Sequence, residues 1–543
     1  MATKVKATSH SDHVEIGAAV KSWKVFLLFL FIGFSIYGIS LGNEFVMDDE
    51  EQIALNEIIH SLENIPKFFT GSTMNEGGTG EMGGIYYKPI MTLAYSLFWQ
   101  ASGTDPWSYH LFQILVHITN AFLFYLLLRN WFQFYPALLT AIVFLVHTLN
   151  TESVVYIADL QDVLYPLFGL SALLLFVRGG DRIPWRRLLG IGALLLMSLL
   201  SKESGALFIF MLIMAAVILK PRTFLPIMAT VTVSLGIYLW MRLGLAGLTS
   251  ADHGITQIGR ASFMIRLQTA PAVMASYLWK FIFPWNLTTT QDWIVTQLTF
   301  EDFWLPLFAL AAILISASYF AIKKPHRVFI FFLVWCIAGF GFHSHIIVPL
   351  DGTTADRWFY FSMLGLLGLL LQTAHTIIKD RPWPKGLSYL IIVFIIGLSA
   401  RSVARTLNWK DGYTLYAHDV EVFPESYDIQ NNYGVELFRH GKYSEALERF
   451  KKSTQLAPHW TINWNNLGAA YQRLGNIPAA EDAYKHSIDN GRYYLATENY
   501  VGILIQQRKY QQAEEYLREK GLVVFPENRK LQDWFMELKN RQH

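Results

Sequence analysis

The chain has little cysteine and little charge. Its single cysteine, Cys336, excludes a disulfide within the chain, so any soluble part must be stable without a cross-link. Charged residues make up 16% of the 543 residues and hydrophobic residues 53%, a balance that argues against a soluble enzyme of this length. The net charge of +2, with no dense basic patch, argues against a nucleic-acid-binding protein. The composition instead fits a membrane protein with a soluble appendage.

Several common catalytic patterns are also absent from the sequence. We find no paired cysteines spaced for zinc and no nucleophilic serine motif. The Gly-rich stretch 71–84 follows no predicted strand and opens no helix with a Lys-Ser or Lys-Thr pair, so it does not match a phosphate-binding loop. We predict that it is a flexible loop.

Long hydrophobic segments predict an all-α, polytopic membrane protein with about eleven transmembrane helices. The predicted spans are 24–42, 107–129, 134–148, 160–177, 186–201, 203–220, 223–243, 303–323, 327–346, 358–378 and 386–402. With a cytoplasmic N-terminus, this count places the basic clusters at 178–187, 220–222, 323–327 and 379–385 on the cytoplasmic side. The first span lacks a small-residue cleavage site after it, which indicates a retained anchor. An odd count places the C-terminal region on the opposite side, periplasmic or lumenal.

Residues 1–402 are therefore predicted to form a transmembrane domain with outer loops at 43–106 and 244–302. Within the second loop, 265–283 is apolar enough to resemble a span, but counting it would reverse the later topology. We predict a helix lying in the membrane interface, with Trp279, Trp285 and Trp293 as aromatic anchors.

The region 403–543 is polar and repetitive. Asn432-Tyr-Gly434 recurs as Asn466-Leu-Gly468 and Tyr500-Val-Gly502, with a period of 34 residues. This period, with small residues at fixed offsets, is typical of tetratricopeptide repeats and predicts three of them, near 427–460, 461–494 and 495–528, after a capping helix at 409–422. Such arrays bind a peptide or protein on their concave surface.

Polar residues cluster at the predicted outer ends of several spans, where a lipid-linked substrate can reach them. Asp48 and Asp49 directly follow the first span. The other members of the cluster are Tyr87, Lys88, His110, His147, Glu152, Asp162, Lys202, Glu203, His343, His345 and Arg357. Carboxylates suit a base that activates a nucleophile, and Lys and Arg suit a phosphate. The pattern indicates a hydroxyl acceptor that meets a phosphate-linked donor.

Each of these residues also has a structural explanation. His110 suits an ordinary interhelical hydrogen bond. Glu152 and Asp162 suit structural ion pairs with Lys202, and Lys88 suits an interaction with a lipid head group. A divalent metal stays open as well, although two histidines at 343 and 345 are a weak ligand pattern.

Five motifs, in order along nearly the whole chain, resemble those of a known family. The motifs are Asp48-Asp49 with Ile53 and Asn56, Tyr87-Lys88-Pro89, the run from His147 to Asp162, Ser201-Lys202-Glu203, and Asp356-Arg357-Trp358-Phe359-Tyr360. With the repeats, they resemble the transmembrane and tetratricopeptide-repeat protein O-mannosyltransferases and their bacterial relatives, within the GT-C glycosyltransferases.

The resemblance implies catalysis on the outer face with a polyprenyl- or dolichyl-phosphate-linked sugar as donor. It implies that Asp48 is the base or acceptor-orienting residue, with Asp49 beside it. It also implies that Lys88, Lys202 and Arg357 bind the donor phosphate. The residues implied to orient acceptor or sugar are Glu152, Asp162, His110, His147, Glu203 and Tyr87.

The sequence departs from the family pattern at Thr148, Asn150 and Leu160, where the family has Pro, His and Arg, so the sugar is not fixed. The short repeat array favours a bacterial inner membrane over the endoplasmic reticulum. The expected function is transfer of a sugar to a hydroxyl, on Ser or Thr of a protein recruited by the repeats. The alternatives are an oligosaccharyltransferase or glycolipid-modifying enzyme, and a non-enzymatic scaffold or lipid transporter. A transporter is expected to place ionisable residues near the middle of the bilayer rather than at the span ends.

Overall fold

The computed structural model describes residues 21–75, 82–83, 86–249, 256–350, 352–378 and 383–541. This part of the chain is almost entirely helical. A two-stranded antiparallel sheet pairs Met74–Asn75 with Met82–Gly83. The predicted flexible loop at 71–84 thus contains a short hairpin, while its residues 76–81 and 84 lie outside the described residues, as does the polar N-terminus before residue 21.

Helices form where long apolar runs leave the backbone no partner but itself, because lipid offers no hydrogen bonds. Up to residue 260, the α-helices are Ser22–Tyr37, Ile65–Thr70, Pro89–Ser102, Trp107–Leu128, Phe134–Val146, Thr151–Val155, Leu160–Val177, Trp185–Ser201, Ala206–Leu219, Phe224–Leu239 and Gln257–Arg260. They are followed by Phe263–Ile282, Leu305–Lys323, Arg327–Phe342, Phe359–Ile378 and Lys385–Asn408. Short 3-10 or π turns extend or join several of them, including Gly38–Gly42, Glu50–Ala54, Glu203–Gly205, Trp240–Leu245, Phe300–Trp304 and Asp356–Trp358.

Seven helices of the described chain are long and apolar enough to cross a membrane. The number is up to eight if Phe134–Val146 and Thr148–Val155, which meet at a 49° bend, form one span. Each predicted span contains a helix, but Glu203–Leu219 and Arg327–Phe342 are short, and Trp185–Ser201 has 17 residues. The all-helical membrane architecture is confirmed, and the count of eleven stays a prediction.

The segment predicted to lie in the membrane interface forms a 20-residue helix, Phe263–Ile282. Trp279 and Trp285, near its C-terminal end, are exposed by 64% and 74%. Two contacts fix the same end of the helix to the rest of the protein. The His147 ring bonds to the Phe281 carbonyl, and Lys280 forms an ion pair with Asp356. Its placement in the membrane interface stays a prediction.

The C-terminal region consists of successive antiparallel helix pairs that follow the 34-residue sequence period. Its helices are Gly412–Val422, Tyr427–Arg439, Tyr443–Leu456, Thr461–Arg473, Ile477–Asn490, Tyr494–Gln506, Tyr510–Tyr516, Leu522–Val524 and Arg529–Arg541, with a π turn at Leu517–Gly521. Glycine allows the close approach within the first two pairs. A Cβ atom on Gly434 would lie 2.6 Å from Phe450, and one on Gly468 would lie 2.6 Å from Tyr484. The assignment as tetratricopeptide repeats stays a prediction.

The C-terminal helices dock on the loop that follows the first membrane helix. The Glu44 amide donates a 2.9 Å hydrogen bond to the Lys410 carbonyl. Arg439 pairs with Glu50 at 2.7 Å. Met47 packs against the small apolar cluster that contains Ile429. The loop that carries Asp48 therefore contacts the first helix of the first C-terminal pair.

Candidate active site

Asp49 is a buried anchor of the first loop. One oxygen of its carboxylate accepts a 3.0 Å hydrogen bond from the Val46 amide. The other accepts a 2.6 Å hydrogen bond from the Ala158 amide, 109 residues away. Burial raises the pKa of Asp49 well above its usual range, and the neighbouring charge of Asp48 adds to this. Asp49 thus fastens the loop to the segment that precedes Asp162.

Asp48, its neighbour, points to solvent. Its side chain is exposed, and no donor among the described residues reaches its carboxylate. Its main-chain amide donates to the Tyr156 hydroxyl at 3.3 Å. The preceding residue, Met47, has a left-handed backbone with φ of 55°, which turns the chain sharply at this point. Asp48 is therefore a fixed residue whose acid group is available to a substrate.

Two of the predicted basic residues are held by buried carboxylates. Lys202 pairs with Asp162 at 2.6 Å. Arg357 forms an ion pair with Glu152, which also accepts a 3.1 Å hydrogen bond from the Arg357 main-chain amide. The Asp162 pair was an alternative that the sequence left open, whereas Glu152 takes Arg357 and not Lys202 as its partner. The polar cluster is thus brought together from four separate elements.

Two further cations near the cluster were missed by sequence reasoning. Arg242 contacts Glu203 at 2.6 Å and the Tyr238 hydroxyl at 2.9 Å. Lys280 contacts Asp356 at 2.9 Å, and both are buried. Each cation lies near the end of a hydrophobic helix, and this position is the signal that identifies the other cluster members.

Lys88 differs from these paired cations. No carboxylate of the described residues lies within ion-pair distance of its amine, which instead sits 4.7 Å from the centre of the Tyr86 ring. Its main-chain amide is fixed by a 2.7 Å hydrogen bond to Thr73. Burial lowers the pKa of Lys88, against the opposing charge of Glu203, and the nearby Lys202 lowers it further. An anionic ligand would stabilise the charged form of this partly buried amine.

Asp159 connects the acidic and basic parts of the site, and sequence reasoning missed it as well. It is buried and lies 3.4 Å from the Arg357 guanidinium. The negative charge of Asp159 raises the pKa of Asp49 and also raises the pKa of Lys88, against the effect of burial on Lys88. Because Asp159 precedes Asp162 by about one helical turn, the two side chains share a face, and this spacing could have identified it.

Three other predicted site residues, His147, Tyr87 and His110, are buried and contact main-chain groups. The His147 ring is stacked on Phe281 and bonds to the Phe281 carbonyl at 2.9 Å, so it holds the helix Phe263–Ile282 in place. The buried Tyr87 hydroxyl donates to the Phe69 carbonyl at 3.0 Å. His110 is buried close to the Asn43 backbone. No contact in the described residues joins these three side chains to Asp48 or Lys88.

The structure offers little support for a metal at the two histidines. His343 bonds to the Gly339 carbonyl at 2.9 Å, and His345 bonds to the Thr353 carbonyl at 2.8 Å. Across the described ranges, no group of three His, Cys, Asp or Glu side chains is arranged to hold an ion.

Comparison with known proteins places most of this site within one matched segment. Residues 87–242 match the family model for dolichyl-phosphate-mannose-protein mannosyltransferase. The segment contains Lys88, Glu152, Asp162 and Lys202, but not Asp48 or Arg357.

Curated relatives extend the match over most of the chain. Protein O-mannosyl-transferase F38B6.6 of Caenorhabditis elegans is 24% identical over 456 residues, covering 80% of this chain and 63% of that protein. Protein O-mannosyl-transferase TMTC3 of Homo sapiens is 22% identical, covering 82% of this chain and 53% of that protein. This chain thus spans between half and two thirds of the length of these relatives. The resemblance predicted from the motifs is confirmed.

One solved structure is also similar. The crystal structure of ArnT from Cupriavidus metallidurans in the apo state aligns with a TM-score of 0.43 and 16% identity, over 86% of this chain and 80% of that chain. This likeness is too distant to carry an argument about fold or chemistry.

Proposed function

We propose that this protein is a membrane glycosyltransferase that moves a sugar from a polyprenyl- or dolichyl-phosphate donor to a Ser or Thr hydroxyl of a protein. The observation that carries the proposal is that the site holds both an exposed carboxylate, Asp48, and a cation without a carboxylate partner among the described residues, Lys88. The charge of Asp159 acts on Lys88 and, together with the charge of Asp48, on Tyr156, so Asp159 lies between the two parts of the site. The similarity to protein O-mannosyl-transferases supports the same reaction class.

The proposed step is a direct displacement at the anomeric carbon of the sugar. The acceptor oxygen attacks this carbon and gives its proton to Asp48, while the bond from the carbon to the phosphate oxygen breaks. The electron pair leaves on the lipid phosphate, whose growing charge is stabilised by Lys88. One glycosidic bond forms, one glycosyl–phosphate bond breaks, and the anomeric configuration inverts.

Lys202 and Arg357 contribute in a different manner from Lys88. Each is already paired with a carboxylate, Asp162 or Glu152, so neither is a vacant phosphate ligand. Each cation has further N–H donors, so it can engage the donor phosphate while it stays paired with its carboxylate. The tests of these residues must therefore separate loss of a ligand from loss of a structural pair.

Mannose is the first sugar to test, because the matched family and its relatives carry it in their names. The departures at Thr148, Asn150 and Leu160 keep other hexoses within the proposal. The reaction is placed on the periplasmic or lumenal face, with a bacterial inner membrane as the proposed location.

Comparative mass spectrometry of cellular glycoproteins tests the proposal. Cells lacking the protein are complemented with wild type, Asp48→Asn or Glu51→Gln, the last being a matched exposed carboxylate in the same loop. We expect wild type and Glu51→Gln to restore a hexose-sized mass on Ser or Thr peptides, and Asp48→Asn to leave it absent. Loss of an oligosaccharide-sized mass, or of a glycolipid with proteins unchanged, would contradict the proposed reaction.

A further inference from the structure

A chain of side-chain amides runs across the C-terminal helix pairs. Asn466 Nδ2 donates to Asn431 Oδ1 at 2.9 Å, between residues 35 positions apart. Asn499 Nδ2 donates to Asn465 Oδ1 at 2.8 Å, between residues 34 positions apart. These bonds connect the first helices of three successive pairs, so the amides occupy one face of the stack.

Bonds within each helix make the chain continuous. Asn431 donates to Asn432 at 3.1 Å, and Asn465 donates to Asn466 at 3.4 Å. Asn431 and Asn465 are buried, whereas Asn432, Asn466 and Asn499 are partly exposed. We call these three partly exposed residues the amide stripe. A carboxamide has two N–H donors and two acceptor lone pairs, so each member of the stripe keeps capacity for a ligand.

The amide stripe ends next to the proposed acid group. Asn432 Nδ2 donates to Asp428 at 3.1 Å. The next residue, Ile429, belongs to the apolar cluster that Met47 packs against, immediately before Asp48. Burial, followed by the charge of Asp48, raises the pKa of Asp428 to about 6. The amide stripe therefore ends close to the loop that carries Asp48.

We infer that the amide stripe binds an extended polypeptide through its main chain and leads a Ser or Thr hydroxyl of that polypeptide to Asp48. Neutral carboxamides match the alternating donors and acceptors of a peptide backbone and impose no charge preference. Packed helices lie about 8–10 Å apart and an extended chain rises about 3.3 Å per residue, so one amide meets about every third residue.

The inference rests on the proposed function for the fate of the hydroxyl, but not for the binding itself. It specifies the acceptor as an unfolded or extended segment that is recognised with little sequence preference. A folded acceptor cannot offer free main-chain groups at this spacing, because its own secondary structure uses them.

Peptide binding to the full chain in nanodiscs tests the inference without requiring turnover. The probe is a fluorescein-labelled 20-residue peptide of Gly, Ala, Ser and Thr, followed by anisotropy, with an analogue N-methylated at every third residue. We expect about tenfold weaker binding for the analogue on wild type, since two or three neutral hydrogen bonds are lost. We expect a similar loss for the unmodified peptide on Asn466→Ala/Asn499→Ala.

Two controls keep the outcome unambiguous. Asn490→Ala removes a comparable amide on the second helix of a pair, where Asn490 bonds to the Pro458 carbonyl, and it should bind as wild type does. The comparison of the two peptides on wild type is independent of any folding defect in a variant. Equal binding of both peptides, or no binding of either, would overturn the inference. Peptide binding as expected with no transfer from any donor would instead contradict the proposed function and leave the inference standing.

Discussion

Two neighbouring aspartates of one loop have opposite environments. Asp49 is buried and accepts hydrogen bonds from two main-chain amides, whereas Asp48 is exposed. The sequence predicted that both aspartates belong to the site but could not show which of them is buried. The difference depends on the Ala158 amide, 109 positions away, and a local motif carries no information about such a contact.

Substitution of these residues should separate stability from activity. Asp49→Ala leaves two buried N–H groups without an acceptor, at a cost of about 1–3 kcal/mol each, so we expect a clearly lower unfolding temperature. Asp48→Ala removes an exposed side chain and should change the free energy of unfolding by less than about 0.5 kcal/mol. Thermal unfolding monitored by tryptophan fluorescence measures both variants. Equal shifts would contradict the assignment of Asp49 as the anchor.

The lowered pKa of Lys88 predicts an alkaline limit to donor binding. The amine binds phosphate only when protonated, so donor affinity should fall as the pH rises, beginning below the ordinary lysine pKa of 10.5. Lys88→Arg keeps the charge throughout this range and should move the fall to higher pH. Titration of donor binding by both proteins provides the measurement. An unchanged profile in Lys88→Arg would show that another group controls the pH dependence.

At the scale of single residues, the sequence was most informative where a charged residue lies in an apolar segment, because burying a charge costs free energy. Charged residues at the ends of apolar helices identified Glu152, Asp162, Lys202 and Arg357, which the structure brings together. The role of each, ligand or structural pair, depends on its partner, and no periodicity reveals the partner.

Among the structural elements, the close contact at Gly468 has a consequence that can be measured against Gly502, which has no such contact. A Cβ on Gly468 would lie 2.6 Å from Tyr484, whereas one on Gly502 would meet Trp534 at 3.6 Å, an ordinary contact. We expect Gly468→Ala to destabilise its helix pair by about 1–3 kcal/mol through overpacking. Gly502→Ala should be neutral or slightly stabilising, because alanine favours the helix. Hydrogen exchange of the C-terminal helices distinguishes the two outcomes, and equal effects would contradict this packing.

The helix positions followed from the sequence more closely than the helix ends did. The last predicted span, 386–402, lies within a longer helix, Lys385–Asn408. Hydropathy marks the part in contact with lipid, but the helix continues because Arg405 is buried and paired with Asp419 at 2.9 Å. A buried ion pair between two segments cannot be read from an apolar window.

For the whole molecule, the contacts between loop and C-terminal helices constrain the topology. Glu44 and Glu50 contact Lys410 and Arg439, so we expect the first loop and the C-terminal helices to lie on the same side of the membrane. The chain must then cross an even number of times between them. With the first helix included, the expected total is odd, and the count of eleven stays a prediction.

Cysteine labelling provides a test of this topology. The native Cys336 is buried, with 7% exposure, and should react slowly with a membrane-impermeant maleimide. We expect Ser444→Cys, in the C-terminal helices, to be labelled from the outer side of intact cells or sealed vesicles. Pro325→Cys, in a basic loop, should react only after lysis. Labelling of Ser444→Cys only after lysis would contradict the odd count, and labelling of both cysteines from the outer side would contradict the three spans predicted between them.

Transfer by purified protein in nanodiscs, with polyprenyl-phosphate mannose as donor and a Ser/Thr peptide as acceptor, is the direct test of the proposed reaction. The measurement is release of free polyprenyl phosphate together with donor binding, for wild type, Asp48→Asn and Lys88→Met. We expect Asp48→Asn to bind the donor normally but to transfer sugar at least about 100-fold more slowly, and Lys88→Met to lose donor affinity. If Asp48→Asn transferred the sugar at the wild-type rate, the assignment of this loop as the catalytic element would be wrong.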